Sequence, residues 1–283
     1  MIWQGRDDAP LPGPRGAQWL RVAWRAPLLA LLVFGCLALL LAVRLIEAPL
    51  FGAHRPVTPW ITVFVCRNAL RILGIERRRV GSPARGLLAF VANHSSWLDV
   101  FVLNAGTPLY FVSKAEVAGW PGIGWLARAT GTVFIERRRG DAARQRALFE
   151  ERIAAGHRLT FFPEGTSTDG RRVLPFKSTL FSAFFGTGDA FAIQPVALAY
   201  RAPAGMREDF YGWWGDMEFA PHMMMLLAAP RGGAVDVIYA EPVRISDVAD
   251  RKALAARLER SVRSTLAAHG IEEAAERVGG IPV

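Results

Sequence analysis

From Ala26 to Val43 the chain carries no charge, and the run PLLALLVFGCLALLLAV is almost wholly aliphatic. About 18 residues is the short end of what can span a bilayer core. Arg21 and Arg25 precede the run and Arg44 follows it. Pro49, Pro56 and Pro59 then break the pattern before WITVFVCRNALRILGI, from Trp60 to Ile75, resumes it as a second helix. Arg67, Asn68 and Arg71 fall on one face of that helix, with Val63, Phe64, Leu70 and Leu73 around the rest. Two arginines make it a poor lipid span but a good interfacial helix. Arg77, Arg78 and Arg79 continue the basic run at the level where anionic headgroups would meet them. Basic flanks on both segments favour a membrane-associated hairpin with both ends cytoplasmic. A cleaved signal fits poorly, because about 25 residues come first and no small-x-small site follows.

After Ser82 the pattern changes to short apolar runs bounded by Gly or Pro: GLLAFVAN (86–93), PLYFVSK (108–114), GTVFIER (131–137), HRLTFFPE (157–164), AIQPVALAY (192–200) and AVDVIYAEPV (234–243). Each has the length and the Val, Ile and Phe content of a buried strand. DAARQRALFEERIAAG reads as a helix, with Asp141 as its cap and Gly156 at its end. Near the C-terminus Leu254, Leu258, Val262 and Leu266 repeat along one face of a second helix that stops at Gly270, and the final GGIPV is expected to fray. Strands alternating with helices predict an α/β fold, a mostly parallel or mixed sheet flanked by helices. The expected organisation is a basic segment (1–25), a helical hairpin (26–80) and one α/β domain (81–283).

Composition narrows the partners. Apolar residues make up 52% and charged residues 21%, which excludes a disordered chain. The net charge of +9 points to an anionic partner: nucleic acid, a membrane surface or a phosphorylated substrate. The aliphatic anchor argues against nucleic acid. Cys36 and Cys66 both sit in the anchor, so a reducing compartment fits better than a disulfide framework.

In open α/β sheets, ligands bind beyond the carboxyl ends of the strands. The first four strand runs end at His94, Lys114, Arg137 and Glu164, so together they predict one polar site. His94 opens the run NHSSWLD, in which Ser95 or Ser96 can cap a helix that carries Asp99 in its first turns. Asp99 can then accept the Nδ1 proton of His94, fix its tautomer and leave Nε2 as a base. A substrate hydroxyl against Nε2 becomes a nucleophile, as serine does in a catalytic triad. The chain offers no convincing nucleophile of its own; GTSTDG lacks the second glycine that a nucleophile elbow needs.

These blocks resemble the lysophospholipid acyltransferases of the 1-acylglycerol-3-phosphate acyltransferase type, over roughly residues 85 to 245. NHSSWLD matches the family's NHxxxxD block, with His94 and Asp99 in the catalytic places. GTVFIER puts Arg137 where the family contacts the acceptor's head group. FFPEGTS puts Glu164 and Gly165 at acceptor-binding positions. IQPVAL matches a fourth block around Pro195, and Lys114, Glu116 and Pro121 fit the stretch between the first two. The resemblance implies transfer of a fatty acyl group from acyl-CoA or acyl-carrier protein to a lysolipid hydroxyl. It implies no acyl-enzyme, no metal and no bound cofactor. It also implies membrane lipids as partners and an inner-membrane location with the catalytic domain facing the cytoplasm.

Two departures bear on the acceptor. Ser167 stands where the family often has an arginine, and Thr179 replaces the glycine of a Phe-Lys-x-Gly block. A serine cannot engage a phosphate bidentately as a guanidinium does, although Lys177, Arg171 or Arg172 could supply charge. FPEGTS with its downstream DG and LPFKS, and YGWWGDMEFAPH (211–222), look like the bacterial branch that acylates lyso-ornithine lipid. Trp213, Trp214 and Met223 to Met225 are candidates for an acyl-chain groove, an interface contact or core. The sequence places 1-acyl-sn-glycerol-3-phosphate first as acceptor and lyso-ornithine lipid second. A thioesterase or lysophospholipase, with His94 and Asp99 activating water, and a non-catalytic basic membrane protein stand behind them.

Overall fold

In the computed structural model, which describes residue 3 and residues 13–86, 88–120, 122–135, 142–185 and 191–271, the N-terminal apolar run is one helix, α1 (Gln18–Phe51). Pro27 and Pro49 both lie inside it, so the break expected at Pro49 falls after Phe51. Helix α2 (Thr58–Leu73) follows, with a proline in its first turn, where the missing N–H costs nothing. Glu47 ties the hairpin together. Its buried carboxylate accepts from Val57 N (2.8 Å), Thr58 N (3.1 Å) and the Thr58 hydroxyl (2.6 Å), which satisfies amides at the start of α2.

Strands β1 (Ile75–Val80), β2 (Leu88–Ala92), β3 (Tyr110–Lys114), β4 (Val133–Ile135), β5 (Leu159–Phe161), β6 (Ala192–Arg201), β7 (Gly233–Tyr239) and β8 (Val243–Arg244) form one sheet. Its order is β1-β7-β6-β2-β5-β3-β4, with β8 also paired to β6. The pairs β6–β2, β2–β5, β5–β3 and β3–β4 are parallel, as is β1–β7; β6–β7 and β6–β8 are antiparallel. The mostly parallel sheet is therefore as expected. The extent of the hairpin is not: residues 75–80, read as the end of the anchor, form an edge strand of the sheet. IERRRV carries too much charge to signal a buried strand. At an edge only Ile75 is buried, and charge is tolerated there.

Helices cover both faces. On one, α5 (Ala142–Ala154) and α7 (Arg251–Ala268) bury Phe149, Leu254, Leu258, Val262 and Leu266 against Phe161, Phe184 and Ile193. Each fully buried side chain of this size contributes about 1.5–3 kcal/mol. Asp250 caps α7, accepting from Lys252 N and Ala253 N at 2.8 Å each. On the other face lie α2, α3 (Leu98–Asn104) and α6 (Phe219–Ala228). A further short helix, α4 (Ile123–Ala129), packs against α1.

Helix α1 is long and apolar enough to cross a membrane, and Leu28, Leu31, Phe34, Leu41, Leu45 and Leu50 are exposed along it. Its first turns belong to the domain. Arg25, only 2% exposed, donates to Leu227 O (3.1 Å) and Ala229 O (2.7 Å), and Arg21 donates to Ala228 O (2.9 Å). The two arginines read as flanks of a span instead satisfy carbonyls at the negative C-terminal end of α6. Just past the other end of α1, His54 Nδ1 lies 3.2 Å from Ala155 O and Arg55 donates to Ala129 O at 2.8 Å.

Candidate active site

Because β2, β5, β3 and β4 are adjacent and parallel, their carboxyl ends share one edge of the sheet. His94 follows β2 there. Asn93 locks the strand end in place, with Leu198 N donating to its Oδ1 (2.8 Å) and its Nδ2 donating to Leu198 O (3.1 Å). The loop after β5 then grips His94 by both backbone groups. Its N–H donates to Glu164 Oε1 (2.7 Å) and its carbonyl accepts from Thr168 N (2.9 Å). Phe162 lies flat against the imidazole, with ring centroids 4.0 Å apart and an interplanar angle of 11°.

His94 Nδ1 lies 2.7 Å from Asp99 Oδ2, as the spacing predicted. The same oxygen accepts from Ser95 N (2.8 Å) and Ser96 N (3.0 Å), while Oδ1 accepts from the Tyr200 hydroxyl at 2.7 Å. Asp99 is fully buried and His94 about one-fifth exposed, so the carboxylate orients and the ring alone faces outward. Burial, and after it the charge of Asp99, push the Tyr200 phenol well above its usual range, which keeps it protonated as the donor. With donors converging on Asp99, Nδ1 carries the proton and Nε2 presents a lone pair. This arrangement can take a proton from a hydroxyl. The expected serine cap is largely absent: Ser96 Oγ is 3.4 Å from Leu98 N, and the two serine amides bind the carboxylate instead.

Glu164, expected at an acceptor-binding position, is bonded to the protein's own backbone. It is 1% exposed, and its two oxygens accept from His94 N and Leu174 N, both at 2.7 Å. The carboxylate holds the loop to His94. Burial pushes it up to about 8, against the pull of those two amides, and the charge of Asp99 adds to the rise. Gly165, with φ of +74°, makes the turn that follows, a conformation other residues rarely adopt. Lys114 ends β3, two strands from β2 and half-exposed. Lys177 is linked to the same loop through its backbone N–H, which donates to Pro163 O at 2.9 Å. Arg137 lies outside the described residues, as do Pro121, Asp141 and the GGIPV terminus.

Ser167, in the place of the missing arginine, donates its hydroxyl to Trp213 O, and Trp213 N donates to Ser95 O at 2.8 Å. Arg171 pairs with Glu208, and Arg172 pairs with Asp169 at 2.9 Å. Trp214 and Met225 are core, and Met223 and Met224 pack partly buried against the same cluster. The tryptophan inside NHSSWLD is also fixed: Trp97 Nε1 donates to His222 Nδ1 at 3.0 Å. Burial lowers His222 to about 4, so its ring is neutral and can accept.

Phe162, Tyr200 and Trp213 were not singled out for these roles by the sequence. Phe162 had a signal, since it is the phenylalanine of the matched FPEG block. Tyr200 had none, because only the pairing of β6 with β2 brings it to Asp99. Tyr200→Phe is expected to lower kcat about tenfold with KM little changed; a hydrogen bond to a charged group is worth about 1.5–3 kcal/mol. Steady-state kinetics with acceptor varied at saturating donor would check this.

The acyltransferase family profile matches residues 74–199, which include the whole His94, Asp99, Glu164 and Pro195 framework. A lyso-ornithine lipid O-acyltransferase of Rhodobacter capsulatus is 53% identical over 265 residues, covering 93% of this chain and 96% of that one. The chain is a lysophospholipid acyltransferase family member. A 1-acyl-sn-glycerol-3-phosphate acyltransferase of Neisseria gonorrhoeae is 32% identical, covering 69% and 75% of the two chains. The acyltransferase also shares its fold with the crystal structure of the 1-acyl-sn-glycerophosphate acyltransferase from Thermotoga maritima. That match has a TM-score of 0.63 at 18% identity and covers 91% of this chain and 98% of the other. An enzyme acylating lysolipids is thus established by family.

Proposed function

We propose that this acyltransferase esterifies the free hydroxyl of lyso-ornithine lipid, using acyl-CoA or acyl-carrier protein as donor. The observation that carries the choice is the 53% identity to a lyso-ornithine lipid O-acyltransferase across nearly the full length of both chains. The site supports it. Ser167 replaces a phosphate-binding arginine, and the arginines next along the loop, Arg171 and Arg172, are held in ion pairs. The order of acceptors expected from the sequence is reversed in this reading.

In the reaction, His94 Nε2 takes the acceptor's hydroxyl proton as its oxygen attacks the thioester carbonyl. The tetrahedral intermediate collapses with cleavage of the C–S bond, and the imidazolium returns its proton to the departing thiolate. The products are an ester and a free thiol. The reading calls for neither a metal nor a bound cofactor, since base and both substrates complete the balance. The arrangement of α1 supports a location on one side of the membrane, which we take to be the cytoplasmic face of the inner membrane. A helix of 34 residues is about 51 Å long, and both its ends are hydrogen-bonded to the same domain. Crossing the bilayer would separate those ends, whereas lying in one leaflet keeps them together.

The test is thiol release and lipid product from detergent-solubilised enzyme given lyso-ornithine lipid, 1-acyl-sn-glycerol-3-phosphate or no acceptor. Release that requires acceptor, with kcat/KM at least about tenfold higher for lyso-ornithine lipid (1.4 kcal/mol), is expected. A preference for the glycerol phosphate would return the acceptor to first place in the sequence reading. Equal release without acceptor would make the enzyme a thioesterase.

A further inference from the structure

Helix α2 exposes Trp60, Phe64, Arg67 and Arg71, spaced four, three and four residues apart and therefore on one face. That face begins apolar and ends basic. It runs into a cavity of about 440 Å³ lined by Arg67, Arg71, Arg77, Arg79, Gly106 and Tyr239, among others. Strand alternation puts Ile75, Arg77 and Arg79 on the α2 side of β1, and Glu76 and Arg78 on the other. Glu76 also lines the cavity, but its carboxylate pairs with Arg78 at 2.6 Å, so four arginines there face one acid that is already paired. Among the described residues, no carboxylate forms an ion pair with Arg67, Arg71, Arg77 or Arg79.

The walls are built. Arg67 Nε donates to Ala105 O (2.7 Å) and Arg77 Nε donates to Val102 O (2.8 Å), so protein carbonyls orient both guanidiniums. Arg77 Nη2 and the Tyr239 hydroxyl are buried and interact with each other, and a phenol does not neutralise the guanidinium's charge. A Cβ on Gly106 would collide with Arg77 Nη2, so the glycine leaves the guanidinium its space. The cavity lies by the C-terminal end of α3, about one helix length, roughly 10 Å, from the end that carries Asp99. It is separate from the catalytic site.

We propose that this cavity binds the phosphate of an anionic phospholipid headgroup, docking the enzyme on the membrane through Arg67, Arg71, Arg77 and Arg79. Arginine forks match phosphate oxygens bidentately. The source is a lipid because the cavity opens at the end of a face whose other end, Trp60 and Phe64, suits the bilayer interface. The proposal rests on the membrane association read from α1 and α2, and the test separates the two.

Full-length enzyme diluted from detergent would be floated with vesicles of phosphatidylcholine alone, with added phosphatidylglycerol, or with oleate added to the same charge. Arg71→Ala/Arg79→Ala is compared with Arg257→Ala/Arg260→Ala, which removes equal charge from the exposed side of α7. The first pair is expected to weaken binding to phosphatidylglycerol vesicles about 10- to 30-fold, from about 1 kcal/mol per basic residue near the surface. It leaves binding to phosphatidylcholine unchanged, and the α7 pair changes little. Equal losses from both pairs, or equal losses on oleate vesicles, would mean diffuse charge attraction and overturn the site. Displacement by inorganic phosphate at constant ionic strength would reassign it to a soluble anion. Wild type that binds phosphatidylcholine and anionic vesicles alike defeats only this proposal; wild type that binds neither defeats the membrane reading as well. Turnover of micellar substrate by Arg71→Ala/Arg79→Ala is expected at the wild-type level, since neither arginine touches the catalytic groups.

Discussion

His94→Ala is expected to lower kcat for acceptor-dependent acyl transfer by about 100- to 10,000-fold, the usual contribution of a positioned general base. The fold should survive, because the bonds that hold residue 94 are made by its backbone N–H and carbonyl, not by its ring. Asp99→Asn is expected to lose comparable activity and some stability. A carboxylate that accepts from His94, Ser95, Ser96 and Tyr200 becomes an amide with one acceptor atom, and its N–H₂ then faces donors. His94 would also lose the group that fixes its tautomer. Thiol release and ester product, followed together with and without acceptor, check both variants. Unchanged turnover in His94→Ala would remove the base from the mechanism. A loss of folding, seen by circular dichroism, would make the variant uninformative about chemistry, and Asp99→Asn kinetics on folded protein would then decide.

The second large effect concerns Glu164, and its size depends on pH. Glu164→Ala leaves two part-buried amides, those of His94 and Leu174, without their acceptors, at a cost of up to about 1–3 kcal/mol each. The wild-type carboxyl titrates at about 8 in the fold, raised first by burial, against about 4.3 in an unfolded chain. Between those values the folded protein holds more protons than the unfolded one, so stability falls as pH rises through this window. The stability linked to this group is fully present below pH 4 and gone above pH 8. Glu164→Gln, which keeps one acceptor and cannot titrate, should therefore be less stable than wild type at pH 5 and close on it by pH 8. Thermal unfolding of both proteins in the same detergent, from pH 5 to 8.5, measures the gap. A gap that stays constant across the range would show that Glu164 does not take up a proton there. Because Glu164 also grips the His94 amide, Glu164→Ala should lose turnover along with stability.

Much of this could be read along the chain, for identifiable reasons. Short apolar runs between Gly and Pro marked strands β2 to β7, since a buried parallel strand must be apolar on both faces. The four-residue repeat of Leu254, Leu258, Val262 and Leu266 marked α7, since one helical stripe must face the sheet. What failed lay at the edges. Arg77, Arg78 and Arg79 gave no strand signal because β1 is half solvated. Arg21 and Arg25 looked like membrane flanks because their carbonyl partners lie some 200 residues away.

The chemistry divides along the same line. By itself, the sequence placed His94 and Asp99 within reach of each other, because five residues at a strand-to-helix turn put both side chains on one side; the distant loop after β5 and Tyr200 hold them there. It also determined that the ends of β2 and β5 would deliver His94 and Glu164 to one place, because parallel strands share a carboxyl edge. Only the tertiary structure decided what those groups do. Strand order put β5 beside β2, so that Glu164 serves the protein's own amides. The register of β6 brought the Tyr200 hydroxyl to Asp99, and the arrangement of α2, β1 and α3 gathered four arginines around one cavity. Each of these depends on the position of groups far apart in sequence, and no local spacing encodes that.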